Sequence, residues 1–235
     1  MEIKSLASSS RGNCYLISDG STTLMLEAGI SLSEMREKGV DLLKVNACLL
    51  THEHGDHAKY AKDVAKYLRV FASKGTLNAL NFNKYDYNKV DCKEDEAFMI
   101  NTFIVLPFKV QHDCKEPFGY YLKSISTGET LLFATDTYYI KPQFSGLNYI
   151  MVECNYANDI LQKNVERGLI PNSMKKRLMQ SHFELENVKA FLKANDLTNV
   201  YAIYLMHLSD GNSDERRFKR EISGLTGKLV YVCEK

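Results

Sequence analysis

The sequence predicts an α/β protein in which two β-sheets pack face to face and helices cover their outer sides. Two observations lead to this prediction. Strand-like runs are followed by helical runs, and this order occurs twice along the chain. No linker or low-complexity segment separates the two occurrences. We therefore expect a single domain over residues 1–235, a length that can bury one sizeable core or two similar halves.

The first half opens as a β-hairpin, because the turn residues Asp19 and Gly20 separate two strand-like runs. Ser31 and Glu34 form a capping pair that predicts a helix at 32–38. The other predicted elements are strands at 2–7, 13–18, 22–27, 45–50 and 69–72, a helix at 57–68 from its apolar spacing, and a helix near 76–81 followed by a loop.

The second half repeats this order of strands and helices. Ser181 and Glu184 predict a capping box for a helix at 184–194. The other predicted elements are strands at 98–100, 102–107, 119–124, 130–134, 149–153, 200–205 and 228–232, and helices at 158–167, 175–180 and 213–223.

Composition excludes several classes of protein. The formal net charge is only +1, and 45% of the residues are hydrophobic, which excludes intrinsic disorder and argues against a large basic surface that coats nucleic acid. The six cysteines form no Cys-x-x-Cys pair, which indicates reduced thiols. Because neither a signal peptide nor a membrane-spanning run is present, we expect a cytoplasmic protein without a membrane partner.

One loop carries most of the candidate chemistry. The sequence Thr-His-Glu-His-Gly-Asp-His at 51–57 places three histidines and two carboxylates between an apolar strand and a helix. A chance His-x-His-x-Asp-His in such a chain has a probability of about 2 in 10,000. Imidazole nitrogens suit zinc; in an extended turn His52 and His54 can face one ion, while Asp56 and His57 face a neighbouring ion. The motif therefore predicts a site for two metal ions.

Four more residues at element ends are candidates for the same site. His112, His182 and His207 each follow a predicted strand or precede a helix cap, and none lies in the middle of a core element. Asp136 ends an apolar strand, where its carboxylate could bridge two ions. In a chain that already needs metal ligands, this placement favours ligation for at least two of the three histidines over a purely structural role.

In these residues, the chain resembles the metallo-β-lactamase superfamily and, within it, the YycJ-type branch of stand-alone hydrolases. The resemblance is most specific at the metal motif and runs along almost the whole chain. The supporting segments are Ala-Ser-Ser-Ser-Arg-Gly-Asn-Cys-Tyr at 7–15, Leu-Glu-Ala-Gly at 26–29, the motif at 51–57, His-Asp at 112–113 with Pro117 and Gly-Tyr at 119–120, Thr-Asp-Thr at 135–137, Glu-Cys-Asn-Tyr at 153–156, Ser-His at 181–182 and His-Leu-Ser at 207–209.

The resemblance implies a four-layer αββα sandwich with a dimetal site at one edge of its sheets. It also implies a ligand set. His52, His54 and His112 would hold the first ion, Asp56, His57 and His207 the second, and Asp136 would bridge the two. We expect two divalent ions, Zn²⁺ in the first place and Mn²⁺ as the alternative.

Three positions depart from the family pattern. Glu27 stands where members typically carry an Asp that supports the metal loop, so either the loop shifts or the contact is made differently. Arg11 replaces a small residue in the Ser/Gly-rich turn, and Cys154 stands where Ser is common. These departures bear on substrate preference and leave the ligands intact.

The predicted activity is that of a metal-dependent phosphodiesterase, most specifically an exonuclease on DNA or RNA ends. Asp56 and His182 are the candidate catalytic residues; His182 would donate a proton to the leaving oxygen or hold a phosphate, at the start of a helix. Whether Tyr85, Tyr87, Tyr138 and Tyr139 stack on bases or are ordinary partly buried tyrosines stays open.

Three alternatives are retained. The near-zero charge fits a phosphodiesterase of small or cyclic nucleotides equally well. A thioester or lactam hydrolase is less favoured, because such members need a helical substrate domain or an export signal. A catalytically silent binding protein is disfavoured by the intact ligand set. The sequence does not determine the oligomeric state.

Overall fold

The computed structural model describes residues 1–82 and 87–234, and the chain divides into two compact units. The first unit comprises Met1–Lys109, Cys114–Glu129 and the C-terminal end, and the second comprises Val110–Asp113 and Thr130–Cys233. Within the described residues, no helix combines the length and the apolar character needed to cross a membrane.

The strands of the first unit form a six-stranded sheet and an antiparallel three-stranded meander. In the sheet, β1 to β6 lie in sequence order; β1, β2 and β3 pair antiparallel, and β3 to β6 pair parallel. The elements are β1 (Glu2–Ser9), β2 (Gly12–Ser18), β3 (Thr23–Leu26), α1 (Leu32–Glu37), a 3₁₀ turn (Leu42–Lys44), β4 (Ala47–Leu49), α2 (Gly55–Ala58), α3 (Ala61–Val64), β5 (Arg69–Ser73), α4 (Lys74–Ala79), β6 (Lys89–Cys92) and the meander β7 (Phe98–Ile100), β8 (Phe103–Lys109) and β9 (Phe118–Ser124).

The core of the first unit lies on the helix side of the six-stranded sheet. Met25, Cys48 and Val70 from the strands cluster there with Met35 and Val64 from the helices, all fully buried. Burial of such side chains stabilises the fold by about 1.5–3 kcal/mol each. This core holds β3 and β4 side by side, so the residues that follow them lie at one sheet edge.

The second unit is built on four parallel strands. They lie in the order β13-β12-β11-β10, and β10 is buried along its whole length, as parallel strands covered on both faces usually are. Helix α8 packs on β13 and α7 packs on α8. The elements are β10 (Thr130–Ala134), β11 (Tyr149–Glu153), α5 (Asn158–Glu166), α6 (Asn172–Ser181), α7 (Leu185–Ala194), β12 (Ala202–Met206), α8 (Glu215–Thr226) and β13 (Leu229–Val232).

The structure corrects three local predictions. The helix expected at 57–68 is two short helices, because Tyr60 leaves helical geometry and donates its backbone N–H to the Ala28 carbonyl at 3.0 Å. The polar stretch after α4 contains a strand, β6, which pairs with β5. The capping box was wrong, since Ser181 is the last residue of α6 and Glu184 caps α7 with its own carboxylate. The remaining elements lie within a few residues of their predicted bounds.

Candidate metal centre

In the first unit, the candidate residues follow the carboxyl ends of neighbouring parallel strands. Glu27 comes directly after β3, and the loop 51–57 follows β4. The carboxyl ends of parallel strands meet at one edge of a sheet, which is the usual place for a site in α/β proteins. Side chains from these two segments are therefore brought together by the pairing of β3 with β4.

The loop gathers the four candidate ligands of this unit. The ring centroid of His52 lies 4.7 Å from that of His54 and 4.3 Å from that of His57. Nε2 of His57 lies 3.4 Å from Oδ2 of Asp56. His52 and His57 are buried, whereas His54 and Asp56 are half-buried. The other carboxylate of the loop, Glu53, instead accepts a hydrogen bond from the Lys115 backbone N–H at 2.9 Å, which is a structural contact.

Glu27 holds this loop from beneath. It is fully buried and accepts hydrogen bonds from the backbone N–H of Thr51 at 3.3 Å and from the Thr51 hydroxyl at 2.5 Å. Its Oε1 also lies 3.6 Å from Nδ1 of His57. Burial raises the pKa of Glu27, opposed by His57 and Thr51. The longer side chain at this position thus supports the loop, with its backbone in the left-handed region at φ 67°.

A short chain of hydrogen bonds sets the orientation of His52. The Thr51 hydroxyl donates its only proton to the Glu27 side chain, so the Thr51 oxygen accepts from Nδ1 of His52 at 2.9 Å. The Nε2 atom of His52 then carries the lone pair that would be available to a metal ion. Such outer contacts typically fix the tautomer of a ligating histidine.

The backbone beneath the loop is packed too tightly for a side chain at Gly29. A Cβ atom there would lie 1.9 Å from the Asp56 carbonyl oxygen. The neighbouring Ala28 donates its N–H to the His57 carbonyl at 2.7 Å, and the Asn13 side-chain amide donates to the Asp56 carbonyl at 3.2 Å. The close approach of these segments therefore requires a glycine at position 29. Arg11, in the turn between β1 and β2, is exposed.

In the second unit, the same topological rule brings another cluster together. Asp136 follows β10, Glu153 ends β11 and His207 follows β12. These three and His182 each offer a ligand atom within 4.8 Å of the others. Asp136 and His207 have left-handed backbones, at φ 42° and 53°. Such conformations are costly for residues other than glycine and concentrate at functional sites.

Glu153 and His182 form a partly buried ion pair. Oε1 of Glu153 lies 2.6 Å from Nδ1 of His182, and Glu153 is fully buried. Burial by itself would lower the pKa of His182, but the charges of Glu153 and Asp136 outweigh it and raise the pKa. Burial would raise the pKa of Glu153, and the opposing charge of His182 lowers it on balance. The pair therefore favours a protonated imidazole beside an ionised carboxylate.

The predicted helix start at His182 was wrong. His182 is the C-cap of α6, with extended backbone, and α7 begins only at Leu185. The first free N–H groups of α7 are taken by the Glu184 carboxylate, which accepts from Glu186 and Asn187. A capped helix end that carries a carboxylate does not offer the anion site that was expected.

His112 lies in the second unit, after the end of β8. Its Nδ1 donates to the Ser181 carbonyl at 2.9 Å, and its Nε2 lies 3.7 Å from Oδ2 of Asp136. Burial lowers the pKa of His112, against the opposing effect of Asp136. A neutral imidazole whose Nδ1–H is fixed by a carbonyl is the form in which histidine binds metals.

Sequence reasoning did not assign a role to Glu153, Thr51 or Asn155. The amide of Asn155 donates to the His207 carbonyl at 2.8 Å and lies 3.1 Å from Nδ1 of that ring. A carboxylate at the end of an apolar strand, as at 149–153, is a signal that could have singled out Glu153, just as it singled out Asp136. Thr51 and Asn155 carry no comparable signal, because their role depends on which ring they meet.

The residues of both units fit divalent metal ions. In the second unit, Asp136 and His207 lie beside the Glu153–His182 pair, and two carboxylates buried together need compensating positive charge. In the first unit, three imidazoles and a carboxylate lie in one loop, and the buried Glu27 contacts this loop at Thr51 and His57. Imidazole with carboxylate oxygen is the donor set that zinc and related ions prefer.

Comparisons with known proteins agree with this chemistry. A family model described as "Beta-lactamase superfamily domain" matches residues 22–208. The exodeoxyribonuclease YycJ of Bacillus anthracis is 28% identical over 238 residues, which cover 93% of this chain and 86% of that protein. The exodeoxyribonuclease WalJ of Streptococcus pneumoniae serotype 2 is 28% identical over 230 residues, covering 88% of this chain and 81% of that one. The metallo-β-lactamase fold protein YhfI from Bacillus subtilis has a TM-score of 0.74 at 13% identity, covering 99% and 96% of the two chains.

The chain belongs to the beta-lactamase superfamily that the matched model describes. The resemblance to its YycJ-type branch and the predicted metallo-β-lactamase fold are confirmed. The chain is a hydrolase of this fold, and its clusters of histidine and carboxylate indicate divalent metal ions.

Proposed function

We propose that this protein is a dinuclear metal-dependent phosphodiesterase that acts as an exonuclease on the ends of DNA or RNA. The observation that carries the proposal is the Glu153–His182 pair, at 2.6 Å, in the same cluster as Asp136 and His207. Hydrolysis of a nucleic-acid phosphodiester breaks a P–O bond and expels a sugar alkoxide, which is a poor leaving group. It needs a proton donor at the departing oxygen.

His182 is suited to that task. Its Nδ1 is held by Glu153, and its side chain keeps 18% of its surface exposed, so the ring remains accessible to a substrate. Glu153 stabilises the protonated form and fixes the ring orientation, as a buried carboxylate does for a catalytic imidazole. We propose that His182 protonates the leaving oxygen and that Glu153 is its positioning residue.

The ligand set implied by the family is carried into this proposal. His52, His54 and His112 would hold one ion, Asp56, His57 and His207 the other, and Asp136 would bridge them. Two bound divalent ions lower the pKa of water, which supplies the nucleophile at neutral pH, and they stabilise negative charge on the phosphoryl group. We propose Zn²⁺ as the native metal, with Mn²⁺ as the alternative. We also propose that the two units act as one catalytic domain, because the matched family model runs through both.

The named relatives support nucleic acid ends as the substrate. Two proteins that match most of this chain are exodeoxyribonucleases by name. The net charge of +1 fits contact with a strand end better than contact with a long duplex. A phosphodiesterase of small or cyclic nucleotides is the second candidate, and it has the same need for a proton donor.

The test is a substrate panel with the protein loaded with Zn²⁺ or Mn²⁺. Single-stranded, double-stranded and cyclic substrates are compared with an aryl phosphodiester whose nitrophenolate leaves without a proton. We expect His182→Ala to lower kcat on oligonucleotides by about 100-fold or more. The kcat of the variant on the aryl ester should fall far less, and its metal content should be unchanged. Exposed Lys176→Ala in the adjacent α6 is the control.

Two results would contradict the proposal. One is hydrolysis of a thioester or lactam by protein that cleaves no phosphodiester. The other is an equal fall in kcat of His182→Ala on oligonucleotides and on the aryl phosphodiester. The salt dependence of substrate binding separates the two candidates, since a steep slope indicates several phosphate contacts and a flat slope a small nucleotide.

A further inference from the structure

The second unit contains a cavity that the proposed reaction does not use. Its volume is about 460 Å³. One wall is the segment after Asp136, with Tyr138, Tyr139 and Lys141; the other is Phe183 with the exposed side of α7. Tyr138 and Tyr139 are 40% and 55% exposed, so a ligand in the cavity can reach their side chains. Two other tyrosines were candidates for base stacking. Tyr87 does not line this cavity, and Tyr85 lies outside the described residues.

A single carboxylate connects both walls of this cavity to His182. Oε2 of Glu153 accepts hydrogen bonds from the backbone N–H groups of Thr137 and Phe183, each at 3.0 Å, while Oε1 pairs with His182. The Thr137 hydroxyl donates to the Tyr139 carbonyl at 2.8 Å and accepts from the Tyr139 N–H at 3.2 Å. The aromatic walls are therefore held in a fixed relation to the proposed proton donor.

The lining suits a flat ring with polar edges. Aromatic and apolar faces come from the tyrosines and Phe183, and amide groups that both donate and accept come from Gln143 and Asn187 at the rim. Lys141 is exposed and adds a positive charge to the lining of the cavity, which suits a ligand that carries a phosphate. The volume lies in the usual range for sites that enclose one small ligand, so it accommodates one nucleoside.

We infer that this cavity binds the unpaired base of a nucleotide next to the scissile phosphate, with Tyr138 and Tyr139 as the stacking residues. The inference rests on the proposed phosphodiesterase function and specifies its substrate class as a single-stranded or frayed end. A blunt duplex must open its terminal pair before the base enters. Stacking on aromatic side chains tolerates any base, so the cavity selects an unpaired end without selecting a sequence.

The test compares oligonucleotides with a normal and an abasic terminal nucleotide. Loss of base stacking on one tyrosine should raise KM for the single-stranded oligonucleotide by about 5- to 150-fold. Tyr138→Ala and Tyr139→Ala are measured singly and together. Cleavage of the abasic oligonucleotide and of the aryl phosphodiester should stay at the wild-type level, and Tyr→Phe at each position should restore KM. Tyr87→Ala is the matched control, since Tyr87 is 87% exposed and does not line the cavity.

Other outcomes overturn the inference in distinguishable ways. An unchanged KM in the double variant means that no base enters the cavity, while the phosphodiesterase function stands. An equal loss on normal and abasic ends means that the tyrosines act only through the structure. If wild-type protein cleaves no nucleic acid, the proposed function is wrong. Fluorescence titration with a nucleoside monophosphate then tests separately whether the cavity binds a nucleotide. Binding by the wild-type protein that the double variant loses supports the cavity, whereas equal binding by both proteins rejects it.

Discussion

At the scale of single residues, Glu27 shows how one buried carboxylate organises a metal-binding loop. It accepts two hydrogen bonds from Thr51 and lies 3.6 Å from Nδ1 of His57, so it acts on the rings of both His52 and His57. The family pattern has a shorter Asp there. The extra methylene, together with the left-handed backbone at φ 67°, is how this chain makes the contact.

Replacement of Glu27 by Gln tests this role. An amide offers one acceptor and one donor group, so either the N–H or the hydroxyl of Thr51 loses its acceptor, and Nδ1 of His52 is no longer fixed as the donor. We expect metal affinity to fall by about 10- to 100-fold. Competition with a chromophoric chelator measures the change. Glu37→Gln, an exposed position in α1, serves as the control. Wild-type affinity in Glu27→Gln would show that the carboxylate has no part in ligand orientation.

At the scale of secondary-structure elements, Asp19 ties the β2–β3 turn to the meander within the first unit. Its carboxylate accepts from the hydroxyls of Thr102 at 2.6 Å and Ser124 at 2.7 Å, and from the backbone N–H groups of Ser21 and Thr22. Burial alone would raise the pKa of Asp19, but these hydrogen bonds, led by that of Ser124, lower it from 3.8 to about 2.

Asp19→Asn should therefore lower stability in a pH-dependent way. Because the pKa is depressed in the folded state, the stabilisation is complete above 3.8 and is lost as the pH falls toward 2. We expect the free energy of unfolding of the variant to be lower by about 1 kcal/mol at neutral pH, a modest difference because Asp19 is only partly buried, and this difference should shrink between pH 4 and 2. Chemical denaturation across this range measures it, with Asp63→Asn as the control. A difference that does not vary with pH would refute the electrostatic origin.

At the same scale, the two clusters of candidate ligands have a common cause. In each unit, parallel strands end side by side, and the residues that follow them carry the polar groups. Apart from β6, the strands were predicted well, because their apolar runs are local signals. The interruption of a helix was not predicted. The helix expected at 57–68 is two short helices, because the backbone N–H of Tyr60 bonds to the carbonyl of Ala28, a contact between residues distant in sequence.

At the scale of the whole molecule, bound metal should contribute to folding stability. Asp136 is buried beside the Glu153–His182 ion pair, and a divalent ion bound there would compensate the charge of Asp136. An ion present at about 100 times its Kd stabilises the folded state by about 2.7 kcal/mol. Removal of metal with a chelator should lower Tm by several degrees, and Zn²⁺ or Mn²⁺ should restore it.

Calorimetry of the chelated and reloaded protein measures this effect. His207→Ala, which removes one proposed ligand, should reduce the shift between the two states, whereas Lys176→Ala should leave it unchanged. An identical Tm with and without metal, in protein shown to bind the ion, would mean that the ion contributes nothing to stability.

Sequence alone determined the metal motif, the family and nearly all strand positions, since each is written in neighbouring residues: His52 to His57 form one loop, and each strand is one apolar run. The partnership of Glu153 with His182 was decided only in three dimensions. These residues are 29 positions apart in the chain, and a helix, α6, whose end carries His182, must return to the end of β11 before they meet. The same holds for Glu27 beneath Thr51, and for the cavity walls that Glu153 joins. Local sequence specifies which donor atoms are present; the pairing and packing of distant segments specify which of them act together.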